Sequence, residues 1–175
     1  EYGMEAVRTI RKQFPNKEIL CDAKIMDGGT IEANAAFCAG ADYVTVMGVA
    51  DTATIKSVVK SAKKWNKTAV VYFLCINNFP KTLPILKSLG VEMVAVHIGV
   101  DQQEAGRTPL GDFINIKSLV NDMYIAVAGG IDSTTLSKYI VHAPDIIIVG
   151  GSICNAANPA KEAKMIYDEI LRANK

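Results

Sequence analysis

Three charged side chains, Asp22, Lys24 and Asp27, lie in the run CDAKIMDGG, where an apolar stretch ending at Cys21 meets a glycine pair. A strand over residues 19–24 sends Asp22 and Lys24 to one face by its period of two, and leaves Asp27 just past the strand end. The three charges then converge at the C-terminal mouth of the strand, where open parallel sheets and closed α/β barrels place their chemistry. A lysine at such a mouth can stabilise negative charge developing on a substrate oxygen. The same charges could instead form a structural salt bridge, although buried ion pairs cost desolvation and are seldom set inside a strand without a reason.

His97 ends the apolar run MVAVH, with Asp101, Gln102 and Gln103 in the loop beyond it. A histidine at a strand mouth can move a proton near neutral pH, or it can be a hydrogen-bonded core residue. AVAGGI at 126–131 and IVGGSI at 148–153 each place two glycines after an apolar strand. Gly129, Gly130, Gly150 and Gly151, with Ser152, leave backbone amides free next to a following helix, which can cradle a phosphate; either pair alone could be a plain turn. Their recurrence at consecutive strand ends favours the phosphate. Neither pair fits GxGxxG with a distal acidic residue, which argues against a dinucleotide. Tyr72 sits inside an otherwise apolar strand, with its ring expected in the core and its hydroxyl directed to the mouth. His142 reads as a surface residue and Trp65 as local packing.

The elements that position these residues alternate regularly. Strands are expected at Ile19–Lys24, Tyr43–Met47, Thr68–Leu74, Glu92–Ile98, Tyr124–Ala128 and Asp145–Val149, and helices at Gly3–Phe14, Thr30–Ala39, Thr52–Trp65, Leu83–Leu89, Ser133–Val141 and Pro159–Arg172. The strands are nearly all apolar, as in parallel sheets covered on both faces. The 175 residues, half of them apolar, suit one domain. Nineteen basic residues against eighteen acidic ones show no basic tract, which argues against nucleic acid or a membrane surface as principal partner. No run is long enough to span a membrane and no signal peptide opens the sequence. The four cysteines, Cys21, Cys38, Cys75 and Cys154, fit no zinc spacing and read as reduced core residues of a cytoplasmic protein.

In combination, DAKIMDGG, GADYVTVMGVAD, VHIGVDQQEAG, VAVAGGI and IIIVGGSI resemble the orotidine-phosphate-decarboxylase-like superfamily, within it the branch of 3-hexulose-6-phosphate synthases and 3-keto-L-gulonate-6-phosphate decarboxylases. The resemblance implies a (β/α)8 TIM barrel, here a single domain over residues 1–175 whose first two strands lie outside the sequence. It implies a homodimer with shared active sites and a sugar-phosphate substrate. Asp22 is then a ligand to Mg2+, Lys24 a contact of the enediolate, Asp27 a residue serving the neighbouring subunit's lysine, and His97 a proton carrier. Asp22, Asp101, Gln102 and the glycine loops with Ser152 contact substrate. In the decarboxylase pattern an arginine follows the histidine by three residues and a threonine precedes the first glycine pair. Val100 and Ala128 stand there, which points to the aldol condensation of D-ribulose 5-phosphate with formaldehyde. Tyr72 stands where synthases often carry an aspartate. The alternatives are the decarboxylase, or a homologue that binds a sugar phosphate without turning it over.

Overall fold

The computed structural model describes residues 2–173. The chain forms two compact units, residues 1–94 and 95–175. Both are parallel α/β.

The first unit runs through α1 (Met4–Gln13), β1 (Leu20–Ile25), α2 (Gly29–Cys38), β2 (Tyr43–Met47), α3 (Thr52–Trp65), β3 (Thr68–Tyr72) and α4 (Phe79–Ser88). The β-branched runs of β2 and β3 pair parallel in unbroken register from Tyr43 opposite Thr68 to Met47 opposite Tyr72. Every residue of both strands after the first is buried, so neither strand has a solvent face. Val44, Val46, Val58 and Val70 are completely buried. Asp51 caps α3 by accepting the Ala53 amide at 2.7 Å, and Asn66 closes it in the left-handed region. The helix α4 begins earlier than its spacing predicts. Asn78 caps it through the Lys81 amide, and Pro80 lies in the first turn, where a missing N–H costs no bond.

Asp42, at the end of this unit opposite the strand mouths, ties the layers together. Its carboxylate accepts from the Ile19 amide at 2.8 Å, Arg11 and Lys67, bringing α1, β1 and the start of β3 to one point. Burial pushes the Asp42 carboxyl up, but the Lys67 hydrogen bond and charge, the Ile19 amide and Arg11 outweigh it and hold the group below the ordinary carboxylate value.

The chain passes from one unit to the other within β4 (Met93–His97). The second unit continues through α5 (Val100–Glu104), α6 (Leu110–Leu119), β5 (Tyr124–Ala128), α7 (Ser137–Ile140), β6 (Ile146–Ile148), α8 (Gly151–Cys154) and α9 (Pro159–Ala173). The strands β5 and β6 pair parallel, with Ala126, Val127 and Ala128 opposite Ile146, Ile147 and Ile148. Asp145 accepts the Ile125 amide at 2.7 Å, repeating the device of Asp42 and Ile19: a carboxylate ahead of one strand holds the entry of its neighbour. Phe113, Ile116 and Leu136 are fully buried here.

Two sequence expectations are corrected. The cysteines are not core residues: all four are free thiols, with Cys38, Cys75 and Cys154 exposed and Cys21 half-buried. Three of them fall at the end of a helix or in a loop, where apolar sequence neighbours turn inward and the thiol does not. His142 is half-buried rather than a plain surface residue, its ring edge-on to Phe113 at 6.3 Å. Trp65 does pack locally, donating its indole N–H to Asn34 Oδ1 at 2.9 Å. Among the described residues six strands are present, and no helix is long and apolar enough to cross a membrane.

Because the Asp42 carboxyl is lowered in the folded state, its stabilisation is present above the unfolded carboxyl pKa of about 3.9 and is lost as pH falls through the folded value. Urea denaturation of Asp42→Asn is expected to show a loss of about 2–3 kcal/mol at pH 7, and the gap to the parent protein should narrow below about pH 4.

Candidate active site

In the first unit the chemistry is built on a distortion of β1. Cys21 lies opposite Val44 and Ile25 opposite Val46, so four residue steps of β1 run against two of β2. The excess is taken up where Lys24 adopts φ 47°, the left-handed region that residues with a Cβ seldom enter. Thr45 fills the gap. It is completely buried, accepts the Lys24 amide on Oγ1 at 2.8 Å, and donates its own hydroxyl proton to Asp22 Oδ1 at 3.0 Å. The other Asp22 oxygen receives the Lys24 ammonium. The two charged side chains remain 40% and 41% exposed, so a substrate can reach them.

Tyr72, at the end of β3, completes the group. Its ring is 2% exposed, the Lys24 ammonium stands 5.4 Å from the ring centroid, and its phenol bonds the Asp22 carboxylate. Burial, then the Asp22 charge and hydrogen bond, push the phenol well above its ordinary value, so it stays protonated and acts as a donor. Burial also raises the Cys21 thiol, helped by Asp22 and Glu32, which leaves it a poor nucleophile. Asp27 takes a different place from Asp22 and Lys24. It is exposed, its Oδ1 accepts the Gly28 amide at 2.7 Å, and it borders an open cavity of about 320 Å3 lined also by Gly29, Ile31, Thr54 and Ser57.

Among the described residues no three His, Cys, Asp or Glu side chains gather as a metal cage. Mg2+ does not require one: it commonly keeps several waters and takes one or two carboxylates plus substrate oxygens. A half-exposed carboxylate fixed on one oxygen by Thr45, as Asp22 is, fits that role as a single ligand.

In the second unit His97 is half-buried at the end of β4. Asp101 and Gln102 lie on the short α5, Asp101 exposed. Gln103, left out of the sequence-based site, reaches back from α5: its amide donates to the Ile98 carbonyl at 2.7 Å and lies over Gly129 and Gly130. Both glycines have positive φ, 109° and 66°. A Cβ on Gly129 would stand 2.7 Å from the Ile98 carbonyl, so the turn can close on β4 only without a side chain. Gly150 and Gly151 open α8, and Ser152 donates its hydroxyl to the Ile131 carbonyl at 2.7 Å, which joins the two glycine loops. The loop between them is further held by Asp132, whose carboxylate accepts from the Thr134 hydroxyl and from the Thr134 and Thr135 amides, and by Glu162 of α9, which accepts the Ser133 amide.

Residues 1–166 match the model of the orotidine 5'-phosphate decarboxylase / HUMPS family. The chain belongs to this family. It is 38% identical over 168 residues to the 3-hexulose-6-phosphate synthase of Staphylococcus haemolyticus, a match that covers 96% of this chain and 80% of the relative. Among solved structures, that of 3-hexulose-6-phosphate synthase from Salmonella typhimurium superposes with a TM-score of 0.96 at 46% identity, over 98% of this chain and 81% of that one. The structure of KGPDC from Streptococcus mutans in complex with ribulose 5-phosphate gives 0.89 at 26% identity, over 98% and 80%. The family is thus one of parallel α/β folds, in agreement with both units.

Sequence reasoning missed Thr45 and Gln103. Thr45 had a signal, being the one polar side chain between the valines of the run YVTVM; Gln103 had none that set it apart from Gln102.

The two kinds of glycine in the second unit should respond oppositely to alanine. Gly129→Ala is expected to cost about 1–3 kcal/mol, from its φ and its contact with Ile98. Gly111→Ala, within α6 and with nothing near its added Cβ, should gain about 0.5–1 kcal/mol; thermal denaturation of the two variants distinguishes them.

Proposed function

We propose that the chain is a carbon–carbon lyase acting on a sugar phosphate, a 3-hexulose-6-phosphate synthase that condenses D-ribulose 5-phosphate with formaldehyde. The observation that carries this reading is the half-exposed Asp22–Lys24 pair, held by buried hydroxyls, in a chain whose relatives at 37–38% identity bear that name. The reaction removes a proton from C1 of the ketose phosphate to give an enediolate. C1 then bonds to the formaldehyde carbon, and the former carbonyl oxygen of formaldehyde takes up a proton.

Lys24 has three N–H donors, and its contacts with Asp22 and the Tyr72 ring leave room for an enediolate oxygen. Its positive charge stabilises the oxyanion as it forms, where the charge matters most to the rate. Asp22 holds the ammonium and accepts from substrate hydroxyls. Mg2+, when bound through Asp22, supplies a second positive charge to the enediolate oxygens. His97 carries the proton. Backbone amides of Gly129, Gly130, Gly150 and Gly151, with Ser152, Asp101 and Gln102, hold the remainder of the substrate, and binding of its phosphate orients the reacting end. In the same reading the working protein is a cytoplasmic homodimer of (β/α)8 barrels, with Asp27 serving the partner's lysine. The likeness to structures of which this chain covers about four fifths supports the barrel. Val100 and Ala128, in place of the arginine and threonine of the decarboxylase pattern, support the aldol over the decarboxylation.

The test is condensation of D-ribulose 5-phosphate with formaldehyde, followed with and without a chelator. Asp22→Ala and Lys24→Ala should each lower kcat/KM by at least about a hundredfold, and chelation should abolish activity. Release of CO2 from 3-keto-L-gulonate 6-phosphate without condensation would give the decarboxylase reading instead.

A further inference from the structure

We infer that Thr45 and Tyr72 form a two-hydroxyl clamp that sets the position of the Asp22–Lys24 pair, and so act as positioning residues for the reaction. The inference rests on the reading of that pair as the reacting groups.

The argument begins with cost. Thr45 is fully buried in β2 between Val44 and Val46, and a valine there would fill nearly the same volume without a hydroxyl to desolvate. The hydroxyl is tolerated because both its functions are used. Its oxygen accepts the Lys24 amide and its proton goes to Asp22 Oδ1, so one group fixes the backbone of one reacting residue and the carboxylate of the other. The Lys24 amide needs that acceptor. The change of register between Cys21 and Ile25 displaces it from regular pairing with β2, and φ 47° is held only where the surroundings impose it.

Tyr72 acts from the next strand. Its phenol donates to the same carboxylate, and its ring face receives the Lys24 ammonium. Asp22 therefore bonds to Thr45, Lys24 and Tyr72 together. A carboxylate at position 72 would add a second negative charge against Asp22; a neutral phenol, kept protonated by burial, aligns Asp22 without competing for the lysine. The ammonium is left with one anionic partner and an aromatic face, poised to give its remaining N–H to the substrate oxyanion.

Thr45→Val, Thr45→Ser and Tyr72→Phe separate this role from packing. With the condensation assay run well below the melting temperature of each variant, Thr45→Val should lower kcat on the order of 10- to 100-fold with KM changed less than about threefold, and Thr45→Ser should restore most of it. Tyr72→Phe, which keeps the ring, should lower kcat by about three- to tenfold. The second readout does not depend on turnover. Acylation of lysine amines by an N-hydroxysuccinimide ester, quantified by mass spectrometry with exposed Lys56 as the internal reference, should be about fivefold faster at Lys24 in Thr45→Val and Tyr72→Phe than in the parent. Unchanged kcat and unchanged Lys24 labelling in folded variants would overturn the clamp. If Thr45→Val does not fold, Tyr72→Phe and Thr45→Ser decide the matter by the same two measurements. If the parent protein shows no condensation, the reaction assigned above falls, while the labelling still decides whether the clamp exists.

Discussion

Parallel strands covered on both faces leave no place for a charged group along their length, and the position of every polar residue in the first unit follows from that constraint. The strands β2 and β3 are buried from their second residue to their last. Their ladders satisfy the backbone, helices cover the faces, and charges are driven to the ends. At one end stands Asp42 with Arg11, Lys67 and the Ile19 amide. At the other stand Asp22 and Lys24. Both are carboxylates meeting cations, but they differ in access. Asp42 is 19% exposed and saturated by its partners, as a structural tie should be; Asp22 is 40% exposed, with room to meet a substrate.

The second unit solves the same problem with backbone instead of charge. Its loops turn on glycines with positive φ, and side chains of Gln103, Asp132, Ser152 and Glu162 are consumed in holding those turns. A rigid loop with free amides binds an anion at little entropic cost, because its groups are ordered before the ligand arrives. The two units thus divide the demands of sugar-phosphate chemistry: side-chain charge for the reacting oxygens, backbone dipoles for the phosphate.

Much of the fold was legible because apolar periodicity and strand length are local properties. The expected limits of β2, α3 and β5 coincide with those observed. The failures are equally physical. The helix α6 escaped notice because Gly111 and the β-branched Ile114 and Ile116 lower helical preference, whereas burial of Phe113 and Ile116 against the unit's core overrides it. The helix α7 is shorter than its spacing suggests, since Asp132 draws the next residues into a turn through the Thr134 and Thr135 amides.

The sequence by itself determined which chemistry is available: an aspartate and a lysine two apart at a strand mouth, a histidine at another, and two glycine loops, all set by residue type and a period of two. Only the tertiary structure decided how the lysine is held. The residue count between Cys21 and Ile25 does not reveal that β1 slips against β2, nor that a threonine and a tyrosine from the next two strands converge on one carboxylate. Those contacts join residues far apart in the chain, and their geometry comes from the register between strands, which no single strand's sequence encodes.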